Sequence, residues 1–356
     1  MAGGMAGVMA NDRIEAKWIA HFTSVFRLCG VQPGDACAVL SETQSRSVLV
    51  QLCELALAGL GARWFHVVLP TPAQTAPVPV RSTGASDAIG QLAPVVTALS
   101  GCVFIADCTV EGLQHAVELP AILKGGARVL VISNEHPEIL ERTVPLAADE
   151  AEVRNAMRRL NDARVMQVTS RAGSDLTVSL TGARIGGVWG FTAKPGTLSH
   201  WPAGLVLAFP QAGAVSGTLV LAPGDVNLTF KRYLADAVTL RIVDDHVVAI
   251  EGHSVDAELM RGYFAAWASH PGDRAAYAVS HVGWGLNRRA RWDAMTFYDK
   301  ADFNGTELRA FAGNFLYSTG ANEVAGRHTR GHFDLPMRGC SVTLDGVAVV
   351  QDGDLV

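Results

Sequence analysis

The chain has 356 residues, of which 49% are hydrophobic and 18% charged, and its formal net charge is −5. This length suits two domains rather than one, and the composition buries sizeable cores, which excludes an intrinsically disordered chain. No block of like charges occurs, which argues against a nucleic-acid partner or binding to an anionic membrane.

The opening MAGGMAGVMAND lacks the basic and apolar regions of a secretory signal and reads as a frayed tail. Residues 11–30 have helical apolar spacing, with Asn11 as candidate cap and Gly30 as stop. Buried strands are predicted at 36–41, 63–70, 102–109 and 127–133. Helices are predicted at 45–61 and 86–101, the second kinked by its proline. Short apolar strands alternating with helices indicate a parallel sheet covered on both faces. No G-x-G-x-x-G or Walker A loop follows any of these strands, so a nucleotide site is not supported.

From about residue 150 the pattern changes. A charge-rich amphipathic helix over 149–163 is expected to bridge the halves, and strands dominate after it. They are 164–171, 175–182, 205–210, 217–224, and two hairpins at 238–252 and 340–353 that turn at Asp-Asp and Asp-Gly. A helix at 255–270 interrupts them. The apolar stretch 204–224 is broken by Pro210 and several glycines, so it fits short strands better than a membrane span. The predicted architecture is α/β plus α+β. A parallel-sheet α/β domain covers 1–149, and a strand-rich mixed domain covers 150–356 and carries every candidate metal ligand. The six cysteines show no C-x-x-C pairing and sit among apolar residues, as buried thiols of a cytoplasmic protein would. The short basic cluster NRRARW (287–292) reads as a solvated face.

There are eleven histidines. His21, His66 and His246 lie within predicted elements, and His136, His253 and His270 in loops or turns, so structural or solvated roles suffice for these six. His281 stands in AYAVSHVGWGLNRR, where an apolar strand is expected to end before glycines that alternate with Trp284, and such glycines permit close approach. In GRHTRGHFDLP, His332 and Asp334 are two residues apart, and on an extended segment they point to the same side. Two imidazoles and one carboxylate suit a non-haem Fe(II) centre. The same H-x-D spacing also arises by chance, and the residues alone leave both readings open.

The motifs SHVGWGLN, GTELRAFAGN and GHFDLP, in that order, resemble the C-terminal motifs of the aminopeptidase T metallopeptidases. They resemble more closely the ring-cleaving relatives of those enzymes, the 2,5-dihydroxypyridine 5,6-dioxygenases. The likeness covers most of the chain, including the α/β first half, 115–131 and 200–225, and is most specific in the last 80 or so residues. The peptidase pattern implies two metal ions held by several carboxylates. This chain has Leu205 where a P-x-G-E stretch would place glutamate, His281 where a second glutamate is expected, and Arg309 in place of a histidine. Only His332 and Asp334 match unchanged. The resemblance therefore implies one ferrous ion, Fe(2+), on His281, His332 and Asp334. It further implies O2-dependent cleavage of 2,5-dihydroxypyridine to N-formylmaleamate, and a homo-oligomer.

An acid–base group is also expected. His200 and His115 are the candidates by their place in the less specific motifs, and a structural role for either stays open. Arg309 is expected to hold an anionic oxygen of the substrate, His328 to orient a ligand unless it is a surface residue, and Trp189 and Trp284 to wall the pocket unless they are core. The alternatives are a dinuclear aminopeptidase and a non-catalytic binding protein on the same scaffold.

Overall fold

The computed structural model describes residues 13–73, 86–132, 134–300 and 303–356. Its first half builds one parallel sheet in the spatial order Arg63–Leu69, Ala36–Glu42, Phe104–Asp107, Arg128–Val131 and Leu198–His200. Phe104–Asp107 and Arg128–Val131 are buried at every position, as strands covered on both faces must be. Successive residues feed two cores. Cys37 and Val39 pack with helices Ala16–Leu28 and Ser47–Gly59, whereas Ala38 and Leu40 pack with Ala93–Ser100 and Leu119–Lys124.

Two expectations shift. The helix expected from 86 spans only Ala93–Ser100, because Pro94 sits in its first turn, where a missing N–H costs nothing. The proline starts this helix instead of kinking it. The first helix begins at Ala16, while Asn11 and the tail before it lie outside the described residues.

The second half holds two large antiparallel sheets and a two-stranded antiparallel ribbon of Val226–Asn227 with Arg232–Tyr233. The larger runs His246–Glu251, Val238–Val243, Val215–Leu221, Asp175–Ser179, Val165–Ser170, Cys340–Leu344, Val347–Gln351 and Asp354–Leu355. The smaller runs Phe333–Met337, Phe315–Thr319, Val279–Gly285, Leu205–Phe209 and Arg184–Val188. They share one core, to which Val168, Leu240 and Val342 come from the first sheet and Val282, Tyr317 and Leu335 from the second. Both predicted hairpins form. Asp244, Asp245, Asp345 and Gly346 have φ of 45°, 74°, 48° and 83°, as two-residue turns matched to strand twist require.

The halves are joined by more than the chain. Leu198–His200 completes the parallel sheet although it follows residue 150. Helix Ala147–Asp162 packs Val153 and Met157 against Gly187, where a Cβ would come within 2.6 Å of both. Arg288 and Arg289 of the basic cluster pair with Glu152 and Asp149 of that helix. All six cysteines are buried and unpaired. No helix among the described residues is long and apolar enough to cross a membrane.

Candidate metal centre

The smaller sheet builds the site through its register. His281, Ser318 and Asp334 are paired neighbours on three adjacent strands, so they form one row and leave the same face. His332 precedes Asp334 by two residues and returns to that face. His281 lies inside strand Val279–Gly285 rather than at its end. The following glycines serve backbone packing: a Cβ at Gly283 would overlap the Val206 carbonyl, and one at Gly285 the Phe311 carbonyl.

One ligand atom from each of His281, His332 and Asp334 lies within 4.8 Å of the others. Asp334 Oδ1 stands 3.1 Å from His332 Nε2 and 3.9 Å from His281 Nε2. The ring centroids of the two histidines are 5.4 Å apart with 28° between planes. Ser318 donates its hydroxyl to Asp334 Oδ1, and Arg309 Nε donates to Oδ2 at 2.6 Å. Burial alone would raise the Asp334 carboxyl, but the charges of His332 and Arg309 override it and hold it well below the ordinary carboxylate range.

His281 is in the protonation state a cation needs. Burial lowers it to about 3, so the ring is neutral. Ser280 donates its only hydroxyl proton to the Ala321 carbonyl at 2.6 Å and stands 3.2 Å from His281 Nδ1. Ser280 therefore accepts from Nδ1–H, which puts the ring's lone pair on Nε2. A buried lone pair facing an ionised carboxylate is an arrangement that a cation satisfies. The donor set fits one divalent ion.

His332 is anchored through its backbone. The Tyr263 hydroxyl donates to the His332 carbonyl and accepts from its N–H, both at 2.7 Å. Gly320, with φ 132°, lets the neighbouring strand come close; a Cβ there would lie 3.2 Å from His332 Nδ1.

The cluster opens on a cavity at the junction of the two halves. Leu205, Leu207, Leu316, Val131, Val188 and Trp201 give it apolar walls. Glu111, Gln114, His115, His200, Asn304, Thr306 and Arg309 give it polar ones. Val131 and His200 end parallel strands, and Glu111–His115 belong to the loop after Phe104–Asp107, where open α/β sheets place ligands. Asp107 ties that loop, accepting from Thr109 N and Oγ1 and from Leu113 N at 3.0, 2.6 and 2.7 Å.

Six of the residues singled out from the sequence, His115, His200, His281, Arg309, His332 and Asp334, meet in this cavity. The His115 ring centroid is 5.8 Å from that of His332. His115 is lowered to about 4, by desolvation and then by His332, although the residue is exposed, which weakens the first effect. His200 is lowered to about 3, by burial and then by Arg309. Its Nε2 is buried with no hydrogen-bond partner among the described residues. Arg309 faces Asp334 with Nε and Asn304 Oδ1 with Nη1, at 2.6 and 3.3 Å. Trp284 is 2% exposed in the core, and neither it nor Trp189 lines the cavity; Trp201 does. His328 is exposed. Ser318 and Tyr263 carried no local signal, since each meets its partner only through the fold, and Ser280 and Asn304, though close to theirs in sequence, sit in no recognisable motif.

Residues 17–356 match the family model described as NicX, 2,5-dihydroxypyridine 5,6-dioxygenase. The chain is 36% identical over 346 residues, 96% of each protein, to the 2,5-dihydroxypyridine 5,6-dioxygenase of Pseudomonas putida KT2440. The solved structure of a 2,5-dihydroxypyridine dioxygenase from the same strain superposes with a TM-score of 0.89 at 34% identity, covering 97% of this chain and 98% of that one. AmpT from Thermus thermophilus superposes with a TM-score of 0.66 at 14% identity, over 96% of this chain and 99% of that one, and so shares the fold.

Proposed function

Because the chain belongs to the 2,5-dihydroxypyridine 5,6-dioxygenase family, we propose that it cleaves a dihydroxylated pyridine with O2. The ring is taken to be 2,5-dihydroxypyridine, the product N-formylmaleamate, and the metal one Fe(II) on His281, His332 and Asp334. The observation that carries this reading is the row of two imidazoles and an ionised carboxylate at the floor of a cavity with apolar walls.

When bound, the ion supplies a redox-active centre through which the ring and O2 exchange electrons. Asp334 and Arg309 cancel in charge, −1 against +1, so a divalent ion here would keep its full attraction for a deprotonated ring oxygen. The leucine-rich walls hold a flat ring and exclude water from it. His200, neutral and with no partner for Nε2 among the described residues, accepts a hydrogen bond from a ring hydroxyl and takes its proton only transiently, since burial disfavours the charged imidazolium. His115, also neutral near pH 7 and more open to water, serves to pass that proton to solvent.

The dinuclear aminopeptidase alternative lacks support. Leu205 and Leu207 line the cavity where a second cation would need carboxylates, and Arg309 already occupies the outer oxygen of Asp334. Among the described residues no other group of three potential ligands converges. The proposal extends to a homo-oligomer acting in the cytoplasm, in keeping with six buried free thiols.

Oxygen uptake after anaerobic reconstitution with Fe(II) tests the reading. It predicts one O2 consumed per 2,5-dihydroxypyridine, with both atoms of labelled O2 in the product. No uptake with any dihydroxypyridine would overturn it.

A further inference from the structure

The polar wall of the cavity contains an amide with an unused end. Asn304 lines the cavity and is 7% exposed. Its Oδ1 accepts from Arg309 Nη1 and from Thr306 Oγ1, each at 3.3 Å. A guanidinium can only donate, so this contact fixes which end of the amide is oxygen. The Nδ2 end has two N–H groups and no acceptor among the described residues. A donor held at the wall of a cavity with no protein acceptor can take its acceptor from a bound ligand.

The amide is also held in place from behind. Glu135, 1% exposed, accepts from Asn304 N at 3.3 Å and from Thr306 N at 3.1 Å. Gly305 between them has φ 94°, and a Cβ there would overlap Leu228. Backbone and Oδ1 are thus both fixed, which leaves Nδ2 as a preorganised donor. One side chain, Arg309, bridges Asn304 and Asp334, so one small ring can reach both the amide and the candidate metal ligands.

We infer that Asn304 is a specificity-determining residue, donating from Nδ2 to a carbonyl-like or anionic oxygen on the bound ring. The oxygen meant is the one beside the ring nitrogen. In a 2-hydroxypyridine that oxygen takes the lactam form, a carbonyl with no proton of its own, and an N–H2 group complements it. The inference rests on the proposed function, because it assumes that a hydroxylated pyridine enters this cavity.

Anaerobic calorimetric titration of the Fe(II)-reconstituted protein tests it with two rings. One is 2,5-dihydroxypyridine and the other is 3-hydroxypyridine, the same ring without the oxygen beside nitrogen. Asn304→Asp keeps an acceptor for Arg309 and Thr306 but removes the donor; Asn304→Ala removes both. Both variants should bind 2,5-dihydroxypyridine about tenfold or more weakly, and 3-hydroxypyridine with little change. Equal losses for the two rings, or no loss for either, would overturn the assignment while leaving the function standing. Wild-type protein that binds neither ring would overturn both.

Discussion

Asp334 divides its two oxygens between different neighbours. Oδ1 takes the Ser318 hydroxyl and faces both imidazoles, while Oδ2 is held by Arg309. Ser318 therefore sets the angle at which the carboxylate meets an ion. Ser318→Ala should weaken divalent-ion affinity about 10- to 100-fold in competition with a chelator, with little change in melting temperature. Unchanged affinity would mean that Arg309 alone orients the carboxylate. Legibility at this scale follows locality. The pairing of His332 with Asp334 was readable because strand alternation is a two-residue rule. Ser318 was not, because it meets Asp334 only through cross-strand register. Arg309, expected to hold a substrate oxygen, also donates from Nε to Asp334 and from Nη1 to Asn304, and the contact with Asp334 is one only the fold reveals.

Strand Val279–Gly285 shows how an element can be recognised while its local logic is misread. Its apolar run was visible, but the glycines after His281 suggested a loop open to ligands. They keep the strand in the middle of its sheet, where Gly283 faces the Val206 carbonyl with no room for a Cβ. A backbone oxygen cannot swing aside as a side chain can, so Gly283→Ala should cost about 3 kcal/mol or more in urea denaturation. A variant with wild-type stability would contradict this packing. Strands Phe315–Thr319 and Arg184–Val188 escaped the sequence reading for a related reason. The first is buried at all five positions and the second carries a Gly-Gly pair, so neither shows the alternation that marks a half-buried strand.

Across the whole molecule, the site depends on contacts between halves far apart in sequence. The parallel-sheet strands at 36–41, 63–70, 102–109 and 127–133 were readable from periodicity. The closing of that sheet by Leu198–His200, and the grip of Glu135 on Asn304 and Thr306, were not, since neither has a local signature. Glu135 is pushed up to about 8 from 4.5, first by burial and then by the charge of Glu307. Between those values the folded protein keeps a proton that the unfolded chain has lost. Stability should therefore fall as pH rises through this window, by up to about 1.4 kcal/mol per pH unit. In Glu135→Gln that slope should vanish from urea titrations taken at several pH values; an unchanged slope would place its origin elsewhere. The claim on which the account turns is that one ferrous ion sits on His281, His332 and Asp334. Iron content per chain after anaerobic reconstitution and desalting measures it directly. Wild-type protein should hold one iron per chain and His332→Ala almost none. Two ions per wild-type chain, or iron retained without His332, would contradict it.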